Sequence, residues 1–161
     1  MLLPDDIIHE RTVRTVHPRE LRRMMDAFRQ LGGSSLVAMT SIPKSKMLQC
    51  GVVKTTPHEV MPGIRPIVQL VEKPHPTDPI CCSAGVAGIV GRYLLHSNIF
   101  DPLRTLHKRG KRPIHLTDAL EHLRCVGHDI YGVALEAARH DVGEVLGQAD
   151  NLLRDASELL S

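Results

Sequence analysis

Adjacent acidic residues near the start of the sequence are candidates for a divalent metal site. Asp5 and Asp6 stand where a short apolar segment ends, and Asp141 belongs to a His-Asp-Val-Gly segment. Magnesium favours oxygen ligands and usually takes one or two carboxylates alongside substrate phosphates. Taken alone, an Asp-Asp pair is more often a turn or a helix cap. The acidic residues therefore indicate a magnesium site only in combination with other motifs.

The segment Glu72-Lys73-Pro74 brings a carboxylate, an ammonium group and a proline together where a β-like segment ends. A carboxylate can accept hydrogen bonds from sugar hydroxyls, and an ammonium group can pair with a phosphate as a point charge. The alternative is an exposed ion pair at a strand end, which contributes little to stability. The tripeptide alone does not decide between these interpretations.

The cysteines and histidines do not have the spacing of a zinc or redox site. Cys50, Cys81, Cys82 and Cys125 form no CxxC pair, and His122 and His128 lie near Cys125 without zinc-ligand spacing. The cysteines are expected to be reduced thiols. A metal or redox protein of this type is the weakest interpretation of the chain.

Short apolar segments separated by helical patterns predict a layered α/β protein with a largely parallel sheet. Leu2-Leu3 predicts the end of a strand that runs into a loop at residues 4–6, and a proline-rich stretch at 74–79 interrupts the chain. Further strands are predicted at 35–42, 51–54, 67–72, 88–95 and 130–135.

Helices are predicted between these strands and after them. Pro18 opens the first helix and Gly32-Gly33 closes it. Thr117 is a plausible N-cap of a later helix, which Gly127 ends. The predicted helices cover residues 18–31, 98–108, 117–126 and 145–160.

Composition limits the class of protein. The 161 residues suit one domain, and a net charge of +2 gives no support for a nucleic-acid surface. No apolar stretch reaches transmembrane length, and the N-terminus lacks the order of a signal peptide. We expect a cytoplasmic protein without a membrane partner.

Six short motifs occur in a fixed order along the chain. They are Leu2-Leu3-Pro4-Asp5-Asp6-Ile7, Gly51-Val52-Val53, Val71-Glu72-Lys73-Pro74, Val90-Gly91-Arg92-Tyr93, Leu116-Thr117-Asp118-Ala119 and His140-Asp141-Val142-Gly143. In this order they resemble the sugar-phosphate nucleotidyltransferases, most closely the UTP–glucose-1-phosphate uridylyltransferases. The resemblance implies an α/β, partial Rossmann-like nucleotidyltransferase fold with a mixed, mostly parallel sheet flanked by helices.

The resemblance also implies roles for individual residues. Asp5 and Asp141 match the family's two metal aspartates, which implies Mg²⁺ as cofactor. Asp6, Gly51, Glu72 and Lys73 match substrate-binding positions, with Glu72 on the sugar and Lys73 on its phosphate. The resemblance also implies that Lys73 is the catalytic residue, because it holds the attacking phosphate. Gly51 matches a glycine whose missing side chain lets the backbone approach the sugar; a bulge or strand-start glycine is the alternative.

The implied activity is nucleotidyl transfer from UTP to glucose 1-phosphate, which gives UDP-glucose and pyrophosphate. The motifs match the second part of the family's catalytic domain, and the Gly-rich nucleotide loop would precede Met1. Residues 1–161 are thus expected to be a nucleotidyltransferase domain lacking its N-terminal nucleotide-binding part. We expect the isolated chain to be weakly active or inactive.

Two alternatives stay open. The chain could be a non-catalytic remnant, or a subunit that pairs with a full-length homologue or with itself. Pro113, Glu144 and Val145, which replace the family's usual Glu, Asn and Lys, favour that interpretation. Within the same chemistry, a glucose-1-phosphate thymidylyltransferase is the nearest rival.

Overall fold

The structure is a computed structural model that describes residues 6–9, 19–110, 113–135 and 138–141. In the segments 6–9 and 138–141 the description concerns the backbone. Asp5, the Leu2-Leu3 segment and the predicted helix at 145–160 lie outside the described residues.

Seven strands and four α-helices make up the described chain. The strands are β1 (Asp6–His9), β2 (Ser35–Thr40), β3 (Gly51–Thr55), β4 (Ile64–Glu72), β5 (Val86–Leu94), β6 (Ile130–Ala134) and β7 (Ala138–Asp141). The helices are α1 (Arg19–Gln30), α2 (Lys44–Met47), α3 (Phe100–Lys108) and α4 (Leu116–Cys125). Two 3₁₀ turns lie at Pro79–Cys82 and Ser97–Ile99.

Five of the strands are hydrogen-bonded in a closed order, β2-β5-β3-β4-β6. The order closes because the two long strands divide their length between neighbours. In β4, residues 64–66 pair with β6 and residues 67–72 pair with β3. In β5, residues 86–88 pair with β3, and residues 88–94 pair with β2. The remaining strands, β1 and β7, form a separate two-stranded sheet.

The mixed α/β character with flanking helices is confirmed, but the predicted predominance of parallel strands is wrong for the described sheet. Among the described strand pairs, only β2 with β6 runs parallel. The physical reason lies in the connections. Strands β3, β4 and β5 follow one another without an α-helical crossover, and parallel neighbours need such a crossover.

Helices cover both faces of the sheet around β2. Met24 and Ala27 of α1 pack with Leu36 and Ala38, whereas Leu120 of α4 packs in a second cluster. Val37 and Met39 of β2 belong to that second cluster. Alternate residues of β2 therefore face different helices, which explains why the strand is continuously apolar. Within the described part of the chain, no helix has the length and apolar character needed to cross a membrane.

Candidate sugar-phosphate site

Gly51 and Glu72 are cross-strand partners at one end of the antiparallel β3–β4 pair. Gly51 is the first residue of β3 and Glu72 is the last residue of β4. Directly after Glu72, the Lys73 N–H donates to the Cys50 carbonyl at 3.2 Å. The fold thus brings together three predicted site residues, Gly51, Glu72 and Lys73.

Lys73 has an unusual backbone conformation. Its φ of 44° makes it the only non-glycine residue with positive φ in the described chain. The left-handed region costs an L-residue roughly 1 to 2 kcal/mol, and such strain is typically retained at functional sites. The Lys73 side chain is exposed, whereas Pro74 is buried. Lys73 therefore presents an accessible ammonium group at a turn anchored by the following proline.

Thr117 lies beside Glu72 although 45 residues separate them in the sequence. Its hydroxyl donates to Oε2 of Glu72 at 2.7 Å, and Thr117 is 4% exposed. In the described structure, Oε1 of Glu72 accepts no hydrogen bond from the protein. The carboxylate is thus held through one oxygen, and the other oxygen is available to a ligand.

The prediction that Thr117 is the N-cap of its helix is wrong. Helix α4 begins at Leu116, and His115 is its N-cap residue. The carboxylate of Asp118 accepts from the His115 N–H at 3.3 Å, so the helix start is capped without the Thr117 hydroxyl. Sequence reasoning missed Thr117 as a site residue. Capping explains a threonine at a helix start equally well, so the sequence carried no local signal for a contact with Glu72.

Gly51 provides space that the Glu72 carboxylate occupies. A Cβ at position 51 would lie 2.9 Å from Oε2 of Glu72 and 3.2 Å from the Thr117 hydroxyl oxygen. It would also lie 3.0 Å from Cδ1 of Ile89. A glycine is needed here because of the crowded carboxylate rather than because of its φ angle.

The acidic residues predicted to bind metal map onto the β1–β7 sheet. Asp6 and Asp141 are direct Cα partners in this antiparallel pair. The predicted loop at Asp6 is wrong, because Asp6 is the first residue of β1. Asp141 ends β7, so the two aspartates share one end of the ribbon. Asp5, the other predicted ligand, precedes Asp6 directly but lies outside the described residues.

The donor chemistry of these aspartates fits magnesium. Carboxylate oxygens are the ligands that magnesium prefers. Where side chains are described, no group of three histidine, cysteine or acidic residues could hold a metal ion. Cys50, Cys81, Cys82 and Cys125 take part in no disulfide bond.

No protein-family profile matches the chain, but individual known proteins are similar to it. The chain is 31% identical to the UTP–glucose-1-phosphate uridylyltransferase YngB of Bacillus subtilis over 147 residues. The alignment covers 91% of this chain and 45% of that protein. The corresponding enzyme of Staphylococcus epidermidis is 33% identical over 152 residues, with 91% of this chain and 46% of that protein covered.

The same similarity is seen in three dimensions. A crystal structure of a UDP-glucose pyrophosphorylase complexed with UDP-glucose superposes with a TM-score of 0.69 and 26% identity. The superposition covers 96% of this chain and 55% of the pyrophosphorylase chain. The chain spans about half the length of the curated relatives it matches. Over that part, the chain is similar in sequence and in fold to the UTP–glucose-1-phosphate uridylyltransferases.

Proposed function

We propose that this chain binds a sugar 1-phosphate, and that it takes part in nucleotidyl transfer from UTP to glucose 1-phosphate. The observation that carries the proposal is the Glu72 carboxylate, which Thr117 holds in the space that Gly51 leaves, directly before the exposed Lys73. The UDP-glucose bound to the similar pyrophosphorylase supports glucose as the sugar.

Each residue has a role that its chemistry allows. The free oxygen of Glu72 accepts a hydrogen bond from a sugar hydroxyl, and the Lys73 ammonium group pairs with the sugar phosphate. Gly51 leaves the space in which the Glu72 carboxylate is held. In the reaction, a phosphate oxygen of glucose 1-phosphate attacks the α-phosphorus of UTP, and pyrophosphate leaves. Such transfers depend on positioning and charge neutralisation more than on covalent help from the protein.

Asp5 and Asp141 would hold Mg²⁺, with Asp6 beside them as a substrate-binding residue. The pairing of Asp6 with Asp141 supports a shared acidic site. When bound, the ion would neutralise part of the negative charge on the substrate phosphates.

A second candidate function is that of a non-catalytic subunit that pairs with a full-length homologue or with a second copy. The observation in its favour is that Pro113, Glu144 and Val145 stand where the family usually has Glu, Asn and Lys. In this role, the sugar-phosphate residues would bind ligand, and the partner chain would complete the catalytic groups.

Pyrophosphate release tests the catalytic proposal. The purified chain is incubated with UTP, glucose 1-phosphate and Mg²⁺, and compared with Asp141→Ala and with the matched control Asp101→Ala. Asp101 lies on the exposed face of α3. Release that only Asp141→Ala abolishes supports catalysis. No release from the folded chain alone, but enhanced release when it is mixed with a full-length homologue, supports the subunit role.

A further inference from the structure

We propose that Thr117 is a positioning residue that orients the Glu72 carboxylate towards a hydroxyl group of the ligand. This inference rests on the proposed function and assigns a role to a residue of α4. The ligand class it implies is a polyol phosphate, bound with its hydroxyl end at Glu72 and its phosphate end at Lys73.

The direction of the hydrogen bond between Thr117 and Glu72 leaves one carboxylate oxygen for the ligand. A threonine hydroxyl has one proton to donate, and that of Thr117 goes to Oε2 of Glu72 at 2.7 Å. Because an ionised carboxylate only accepts hydrogen bonds, Oε1 is left to accept from a donor. A sugar hydroxyl provides such a donor, whereas a phosphate would be repelled. The hydroxyl end of the ligand therefore belongs at Glu72.

Helix α4 is anchored to strand β4 by two hydrogen bonds, which fixes the position of Thr117 relative to Glu72. Thr117 and Glu121 lie one turn apart on the same face of the helix, and both contact β4. Glu121 accepts from the Leu70 N–H at 2.9 Å, two residues before Glu72 on the same strand. Two contacts between one helix face and one strand fix the helix against β4. The Thr117 hydroxyl is thus held at a set position relative to the carboxylate.

The Glu72 carboxylate is confined between Gly51 and the buried Thr117. Oε2 of Glu72 lies within 2.9 Å of the position of a Cβ at Gly51, so the carboxylate occupies the space that a side chain there would need. Thr117 is buried to 4% exposure, which restricts its own rotamers. A carboxylate that is oriented before the ligand arrives avoids the entropy cost of being ordered on binding.

Isothermal titration calorimetry with two probes separates positioning from structural damage. Glucose 1-phosphate reports both ends of the site, and inorganic phosphate reports the Lys73 end alone. The variants are Thr117→Val, which keeps the shape but removes the hydroxyl, and Thr117→Ser, which keeps the hydroxyl. Thr105→Val is the matched control, because the Thr105 hydroxyl donates within α3, to the Asp101 carbonyl at 2.9 Å.

We expect Thr117→Val to weaken glucose 1-phosphate binding about tenfold, the cost of a weakened hydrogen bond to a charged group. Inorganic phosphate binding should change by less than about twofold, and Thr117→Ser should restore the affinity for glucose 1-phosphate. Thr105→Val should bind both probes as the wild type does. Thermal unfolding establishes that each variant is folded, and Thr117→Ala serves as a second hydroxyl-free variant if Thr117→Val does not fold.

The inference is overturned if the hydroxyl-free variants bind glucose 1-phosphate as the wild type does. It is also overturned if they lose both probes equally, because that result indicates general damage to the site. A folded wild-type chain that binds no glucose 1-phosphate overturns the proposed function itself, a result distinct from the first two.

Discussion

Gly51 and Glu72 face each other across the antiparallel β3–β4 pair, and the glycine leaves room for the glutamate carboxylate. The same carboxylate accepts the Thr117 hydroxyl, so three segments distant in sequence meet at one functional group. Lys73 follows immediately in a left-handed conformation. The candidate site is therefore built around the orientation of one carboxylate.

Gly51→Ala should impair ligand binding more than it impairs stability. The added Cβ would meet side-chain atoms rather than backbone, above all Oε2 of Glu72 at 2.9 Å. Because the carboxylate is the end of a flexible side chain, it can move at small cost, but the movement takes it away from its position beside Thr117. We expect glucose 1-phosphate affinity to fall about tenfold, consistent with loss of a charge-assisted hydrogen bond. Calorimetry of binding and thermal unfolding measure the two effects.

Gly127→Ala is the converse control. Gly127 has a φ of 95° and nothing within 4 Å of its would-be Cβ, and it follows α4 at the end opposite Thr117. Alanine there should cost roughly 1 to 2 kcal/mol of stability through backbone strain and leave affinity unchanged. Equal binding losses in both variants would contradict a specific role for Gly51.

Lys73→Asn should separate the strained backbone from the charge. Asparagine tolerates the left-handed region better than lysine does, so the free energy of unfolding should stay the same or rise slightly. The loss of the ammonium group should reduce phosphate affinity about tenfold or more, as expected for a charge-assisted contact. Lys108→Asn, at the exposed end of α3, is the control. Unchanged phosphate binding in Lys73→Asn would refute the assignment.

Glu121→Ala should destabilise the fold by about 1 to 3 kcal/mol, because the buried Leu70 N–H loses its acceptor. Glu121 also pairs with Arg124 at 2.7 Å. Asp101→Ala removes an ion pair of similar length, 2.9 Å, from a fully exposed helix face. That change should cost less than about 0.5 kcal/mol. Urea unfolding compares the two variants, and similar losses would show that the Glu121 contact with Leu70 contributes little.

Acid should remove the stabilisation that Glu59 provides. Hydrogen bonds from the Gly63 N–H and the Arg65 guanidinium hold the pKa of Glu59 below its ordinary value of 4.5. A lowered carboxyl pKa contributes stability that is present above the ordinary value and is lost as the pH falls through the folded-state pKa. The stability difference between the wild type and Glu59→Gln should therefore be constant at neutral pH and shrink below pH 4.5. Thermal unfolding across this range measures the difference; one that does not change with pH would argue against the shift.

The secondary structure followed largely from local pattern. The predicted strands at 35–42 and 88–95 correspond to β2 and β5, and the predicted helix at 98–108 corresponds to a 3₁₀ turn followed by α3. The short helix α2 was not predicted, because four residues give no periodicity. Whether two strands pair parallel or antiparallel depends on the connection between them. The alternation of strand-like and helix-like segments in the sequence does not specify that connection.

The candidate site was predictable only in part. Gly51, Glu72 and Lys73 belong to recognisable motifs, and the structure brings them together. Their roles in binding stay predictions. Thr117 escaped notice because its partner Glu72 lies 45 residues away, and a helix start explains a threonine equally well by local capping. Long-range contacts of this kind leave no local signature.

Chemical-shift mapping with glucose 1-phosphate tests the central claim most directly. In ¹⁵N-labelled wild-type chain, the amides of Gly51, Lys73 and Thr117 should shift with one common saturation curve. The amides of Gly33, His96 and Asn98 should not shift. These residues line a separate depression near Ser35, where β2 begins. Shifts confined to that depression, or no saturable shifts at all, would contradict a sugar-phosphate site at Glu72 and Lys73.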